Sequence, residues 1–224
     1  MEFYLLSDIL ADVRAAIDNN MESDDLTSFS EPNQLSLDDI CQRAILDAAR
    51  LVYQTAPLKY IDEAVSLTDY TSDVNYSTGG VNKAGLARIY IKAPDDFFRL
   101  VYAKLASWDY GVTTAITPDH HLYPQQFSKY AVGGTPNKPM LAITPHGDGL
   151  YFEAFSAEGN DGFEYLNYLP IPALTTNDDG NSGLEMPVKL YNPIIYYTGG
   201  LTMQTLGDQN VANALMQTAQ AMLV

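Results

Sequence analysis

Hydrophobic positions recur at two different periods along this chain, and the change of period divides it into three parts. Near the start, Ile9, Leu10, Val13 and Ile17 are spaced as on one helix face, which predicts a short helix over 7–19 with Ser7 as its cap and Asp8 in its first turn. Residues 20–35 are polar, contain Pro32 and predict a loop. The clearest helix follows over 36–56. Ser36 caps it, Asp38 and Asp39 occupy the first turn where the helix dipole favours anions, and Ile40, Ala44, Ile45, Ala48, Leu51 and Val52 keep helical spacing until Pro57.

From residue 58 the period shortens. Runs rich in aromatic and β-branched residues predict strands near 63–70, 86–92, 98–106, 139–144, 150–156 and 163–169. Gly79-Gly80, Gly133-Gly134, Pro145-His146-Gly147 and Glu158–Gly162 separate them as turns, and residues 118–130 have room for one helical turn. Residues 173–184 read as an exposed loop. Helix then resumes, with Pro187 at a first helical position, Pro193 placed to kink the early turns, and a stretch from Leu190 to Gly207 without one charged side chain. Asp208 caps a last amphipathic helix through Val211, Leu215, Met216, Ala219 and Met222. The layout predicts an α+β fold: a helical frame from N- and C-terminal helices (1–57 and 185–224) with a β-rich antiparallel insertion (58–184) between them.

Composition narrows the function. Hydrophobic residues make up 46% of the 224, enough for a real core, and the single Cys41 excludes an intrachain disulfide framework. The formal charge is −16, the wrong sign for a general binder of nucleic acid. It is also uneven: −9 over residues 1–63, −6 over 64–183 and −1 over 184–224. The first residues lack a basic, apolar leader, so the expectation is synthesis in a cytoplasm. Five of the twelve cations cluster as Lys83, Arg88, Lys92, Arg99 and Lys104. In so acidic a chain this stretch is expected to pair with carboxylates of a neighbouring copy, Asp38 and Asp39 among them, rather than to hold DNA.

Signals for chemistry are thin. His120-His121 and His146-x-Asp148 are the histidine features, and neighbours on a strand point to opposite faces, so no metal site is expected. Gly79–Gly85 lacks the Gly-Lys-Ser/Thr ending of a phosphate loop. Asn177–Asn181 and Glu158–Gly162 lack the spacing of a calcium loop. No Gly-x-Ser-x-Gly elbow occurs. The expectation is a protein that is not an enzyme and carries no cofactor. Leu190–Gly207 holds Asn192, Pro193, Gly199-Gly200 and Gln204 without basic anchors, so it reads as a buried helix and not as a membrane span. Sixteen tyrosines against one tryptophan favour hydrated, packed interfaces.

The stretch Ala93-Pro94-Asp95-Asp96-Phe97-Phe98-Arg99-Leu100-Val101-Tyr102-Ala103-Lys104-Leu105-Ala106-Ser107-Trp108 resembles a segment of head-to-tail adaptor, or ring, proteins of crAss-like Bacteroides phages. Tyr123-Pro124-Gln125-Gln126-Phe127 and Gly133-Gly134-Thr135-Pro136-Asn137-Lys138-Pro139 continue it. The helices over 40–56, 188–206 and 208–223 are similar to the helical frame of phage connectors, so the likeness covers residues 36–224. The β region is larger than the hairpin of the small adaptor families. The resemblance implies a structural virion protein in the neck, in a closed ring of about twelve copies. Such a ring binds below the portal protein, docks the next neck or tail component, and passes genomic DNA without reading its sequence. The competing expectation is a β-rich virion module for host or carbohydrate binding, with Tyr110, Tyr123 and Tyr130 as its aromatic platform.

Overall fold

A computed structural model describes residues 1–21, 36–61, 63–71, 85–127, 133–147, 149–157 and 161–224. The predicted loop over 20–35 therefore lies almost wholly outside the described residues, as do Gly79-Gly80, Lys83, Tyr130 and Asp148. The chain forms two compact units, Met1–Glu63 with Ile171–Val224, and Ala64–Pro170.

The first unit opens with strand β1 (Glu2–Leu5), which runs directly into helix α1 (Leu6–Asp18). That continuity moves the helix start one residue ahead of the expected cap. Leu5 stands at the N-cap without a side-chain bond, and Ser7 lies inside the first turn. Helix α2 (Leu37–Thr55) starts as its sequence predicts. Ser36 Oγ accepts from the Asp39 amide at 3.2 Å, and Asp39 Oδ2 accepts from the Ser36 amide at 3.1 Å. This reciprocal box satisfies two donors that the helix start would leave open.

The β unit contains β2 (Val65–Tyr70), β3 (Ala87–Lys92), β4 (Phe97–Leu105), β5 (Ala142–His146), β6 (Gly149–Ser156) and β7 (Phe163–Pro170). They form two antiparallel sheets, β2-β7-β4 and β3-β6-β5. One apolar cluster joins both sheets. Phe152 of β6 stands edge-on to Phe97 of β4 at 5.0 Å and to Phe163 of β7 at 5.3 Å. The expected helical turn is a 3-10 segment, Tyr123–Phe127.

Residues 173–184 are corrected from exposed loop to hairpin. Strands β8 (Leu174–Thr176) and β9 (Ser182–Met186) pair with each other, and β9 pairs with β1. This pairing carries the segment into the helical unit, so the division falls at 63/64 and 170/171 rather than at 57/58 and 184/185. Alternation was weak here because Gly183 takes the place of a side chain. A Cβ there would lie 2.3 Å from the Tyr4 carbonyl oxygen.

Pro187 leads into a 3-10 turn (Val188–Leu190) instead of opening the helix, and helix α3 (Tyr191–Leu206) starts at Tyr191. Pro193 sits in its first turn, where a missing N–H breaks no helical bond. The uncharged run is explained by position: α3 packs against α1, α2 and the last helix, α4 (Gln209–Ala221), and is buried around most of its circumference. A helix enclosed by neighbours is apolar on all sides. Thr198, fully buried, donates back to the Ile194 carbonyl at 2.7 Å. Gly199 and Gly200 let the neighbours come close, since a Cβ on Gly200 would meet Met216 at 2.6 Å and the Ala212 carbonyl at 3.2 Å. Gly207, at φ +93°, ends α3, and Asp208 caps α4 by accepting from the Asn210 and Val211 amides at 3.1 Å each.

Candidate functional site

The basic stretch was the leading candidate, and its described members do not converge. Arg88 lies on β3 and turns to the sheet face opposite the core, toward Glu153 of β6. Its Nη2 is 2.8 Å from Glu153 Oε1, and its Nε donates to the same oxygen at 2.9 Å. Tyr123 donates to Glu153 Oε2 at 2.8 Å and accepts from Arg88 Nη2 at 3.1 Å. The guanidinium also lies over the rings of Tyr90 and Phe127, at 5.0 and 5.2 Å. Glu153 is completely buried. Burial alone would pull the Arg88 guanidinium down, but the bond to Glu153 and its charge outweigh that and hold it above its ordinary value. Burial, then the hydrogen bond to Glu153, push the Tyr123 phenol up to about 12. The arrangement is a clamp that neutralises a buried carboxylate and pins the 123–127 segment to the sheet.

Lys92 pairs with Asp95 at 3.2 Å, and Lys104 with Glu164 of β7. Arg99 is half-buried, and burial pulls its guanidinium down. Arg88, Lys92 and Lys104 thus find carboxylates within their own β unit. Lys83 lies outside the described residues. Asp38 pairs with Arg14 of α1, and Asp39 closes the cap of α2. The two bonds from Ser36 hold the Asp39 carboxyl below its ordinary range. Both aspartates therefore act at a helix start.

His120 and His121 lie in a turn, and their ring centroids are 4.4 Å apart. His146 stands edge-on to Tyr90 and Tyr151, at 5.1 Å each. Among the described residues no three metal-ligating side chains come together. Asn177 is spent on the β8–β9 turn, where its Oδ1 accepts from the Asp179 and Asn181 amides at 3.1 and 2.9 Å.

Two polar features were missed in the sequence. Glu153 is one; its only signal is a carboxylate inside an otherwise apolar run, Leu150 to Phe155. Asp161 is the other: its Oδ2 accepts from Ser156 Oγ at 2.6 Å, from the Ser107 amide at 3.3 Å and from Ser107 Oγ. It ties the ends of β4 and β6 to the start of β7. Nothing in spacing reveals it, since Ser107 lies 54 residues from Asp161.

The helical unit carries a different kind of feature. A groove of about 420 Å³ runs between α2 and α3. Ile40, Ala44 and Leu51 line it from α2, and Leu201 from α3, with Gln204 and Thr205 at its rim. Leu51 is 40% exposed. Arg43 and Asp47 lie along one edge. Asp47 pairs with Arg50 at 3.0 Å, whereas Arg43 makes no ion pair among the described residues. The sequence hid this groove because its α2 residues lie beside the buried stripe (Cys41, Ile45, Ala48, Val52) and merge with it on inspection.

No protein-family model matches the chain, and no curated protein is detectably similar to it. No described helix is long and apolar enough to cross a membrane.

Proposed function

We propose that this chain is a structural subunit of the ring that joins head to tail in a tailed phage, seated below the portal, and that it works by assembly rather than by catalysis. The observation that carries the reading is the build. Both ends of the chain supply one helical unit, while residues 64–170 form a separate β-rich unit between them. That is the organisation implied by the resemblance to phage adaptors. Charge supports it. The first 63 residues hold −9, and an acidic channel wall repels a passing polyanion so that DNA slides without sticking.

Quantitative mass spectrometry of purified particles tests the proposal. A connector subunit is present at about the same copy number as its ring neighbours, a low multiple per particle. Absence from the particle contradicts it. The competing reading, a host- or glycan-binding module, has one observation in its favour: Tyr110 is 66% exposed. Tyr123 is spent on the Glu153 clamp, so the aromatic platform loses one of its three members. Specific signal on a glycan array would put that reading first.

A further inference from the structure

We propose that the groove between α2 and α3 receives helix α1 of a second copy of this chain, head to tail. The inference rests on the ring reading above and names the contact that closes the ring.

The groove is the receptor. From Ile40 to Leu51 it runs eleven residues along α2, about 16 Å, three turns of a helix. Its floor is apolar, and its α2 edge carries Arg43 beside the Asp47–Arg50 pair. Arg43 and Arg50 are seven residues apart and project along the same line of the helix. Arg50 already holds Asp47, and Arg43 has no ion pair among the described residues. Its occupant is therefore a helix of similar length with small residues at the centre and carboxylates beside them.

Helix α1 fits that description. Its buried stripe is Ile9, Val13, Ala16 and Ile17. Its opposite face exposes Ala11 and Ala15, flanked by Asp8, Asp12 and Asp18. Alanines let a helix sit deep in a shallow groove, and the carboxylates meet Arg43. Asp12 is partly committed, since it accepts from Tyr191 at 2.6 Å; Asp8, which accepts from Ser7 at 3.4 Å, and Asp18 are exposed. The outer face of α4 is the rival surface. It carries no charge over Gln209–Ala221 and gives Arg43 nothing to pair with.

The contact cannot close within one copy. A Cβ on Gly199 would touch Ile17, so α1 packs on the Gly199 side of α3. Leu201, two residues on, projects about 200° away around the helix. Likewise Asp38, which pairs with Arg14 of α1, lies on the opposite side of α2 from Ile40. Donor face and receptor groove lie on different sides of one unit. Such a contact repeats from copy to copy and forms a ring when the rotation closes.

The test is a charge swap in the full chain. Arg43→Glu alone, and Asp8→Lys with Asp18→Lys alone, should each weaken self-association at least about 10-fold in sedimentation, with unchanged circular dichroism. Mixing the two variants should restore it, because each then offers the face the other needs. Ala15→Cys with Ala44→Cys should give a ladder of cross-linked copies with a short bismaleimide, in the purified chain or in the particle; the native Cys41 is fully buried and does not compete. Failure of the mixture to recover overturns the proposal, as does a chain that stays monomeric and cross-links at these positions nowhere. Recovery on mixing, with no ring in the particle, overturns the ring reading and leaves this contact standing. A ring that forms without the cross-link does the reverse.

Discussion

The two units solve the problem of a stable interior in different ways. Among the described residues, the buried polar side chains of the helical unit are Thr198 and Thr202. Thr198 returns its hydroxyl to its own helix and Thr202 lies 3.6 Å from Cys41 Sγ. The β unit buries Gln126, Thr144, Glu153, Ser156 and Asp161. One interior is held by shape, through glycines that admit neighbouring helices. The other adds a polar network that fixes loops to sheets. A buried network is costly when broken, so the β unit is specified by a few residues and the helical unit by many small contacts.

The largest effect should come from breaking the network. Arg88→Ala leaves Glu153 buried with Tyr123 as its remaining side-chain partner and should cost about 3–5 kcal/mol in urea unfolding. Replacing both Arg88 and Glu153 with leucine should recover most of that loss, since no buried charge remains. In the helical unit, Gly200→Ala forces Met216 aside and presses on the Ala212 carbonyl, which cannot move alone. A loss of about 1–3 kcal/mol is expected, with a lower thermal midpoint. Ser36→Ala removes a cap and should cost about 1 kcal/mol. The Asp39 carboxyl in that cap has a lowered pKa. Its contribution is present above the ordinary aspartate range and is lost as pH falls through the folded value, so Ser36→Ala should flatten the acid limb of a pH–stability curve.

The smallest effect appears in alkali. The Tyr123 phenol is raised from 10.0 to about 12. Below pH 10 it is protonated in folded and unfolded chains alike and its contribution is fully present. Between pH 10 and 12 the unfolded chain loses this proton first, and stability falls. Tyr123→Phe should shift the alkaline transition, followed by tyrosinate absorbance.

The sequence carried the elements better than their partners. The six strands of the β unit lie within three residues of where alternation puts their ends, and Ser36 and Asp208 cap the helices they were assigned. Each of those signals is local: a period, a cap or a stop. Strands β1, β8 and β9 were missed because they are short, and β1 and β9 rely on pairing between residues far apart in sequence. The same reason accounts for the site. Arg88 reads as a surface cation until Glu153, 65 residues away, is known to lie beside it. Whether a cation is spent inside or left for a partner is a long-range fact, and only the fold supplies it.

Cryo-electron microscopy of the particle, with the chain located by side-chain fit, tests the proposed ring between head and tail. A closed ring under the portal is expected, in which α1 of each copy lies in the α2–α3 groove of the next. Density for this chain at a fibre tip, or none in the particle at all, would contradict it.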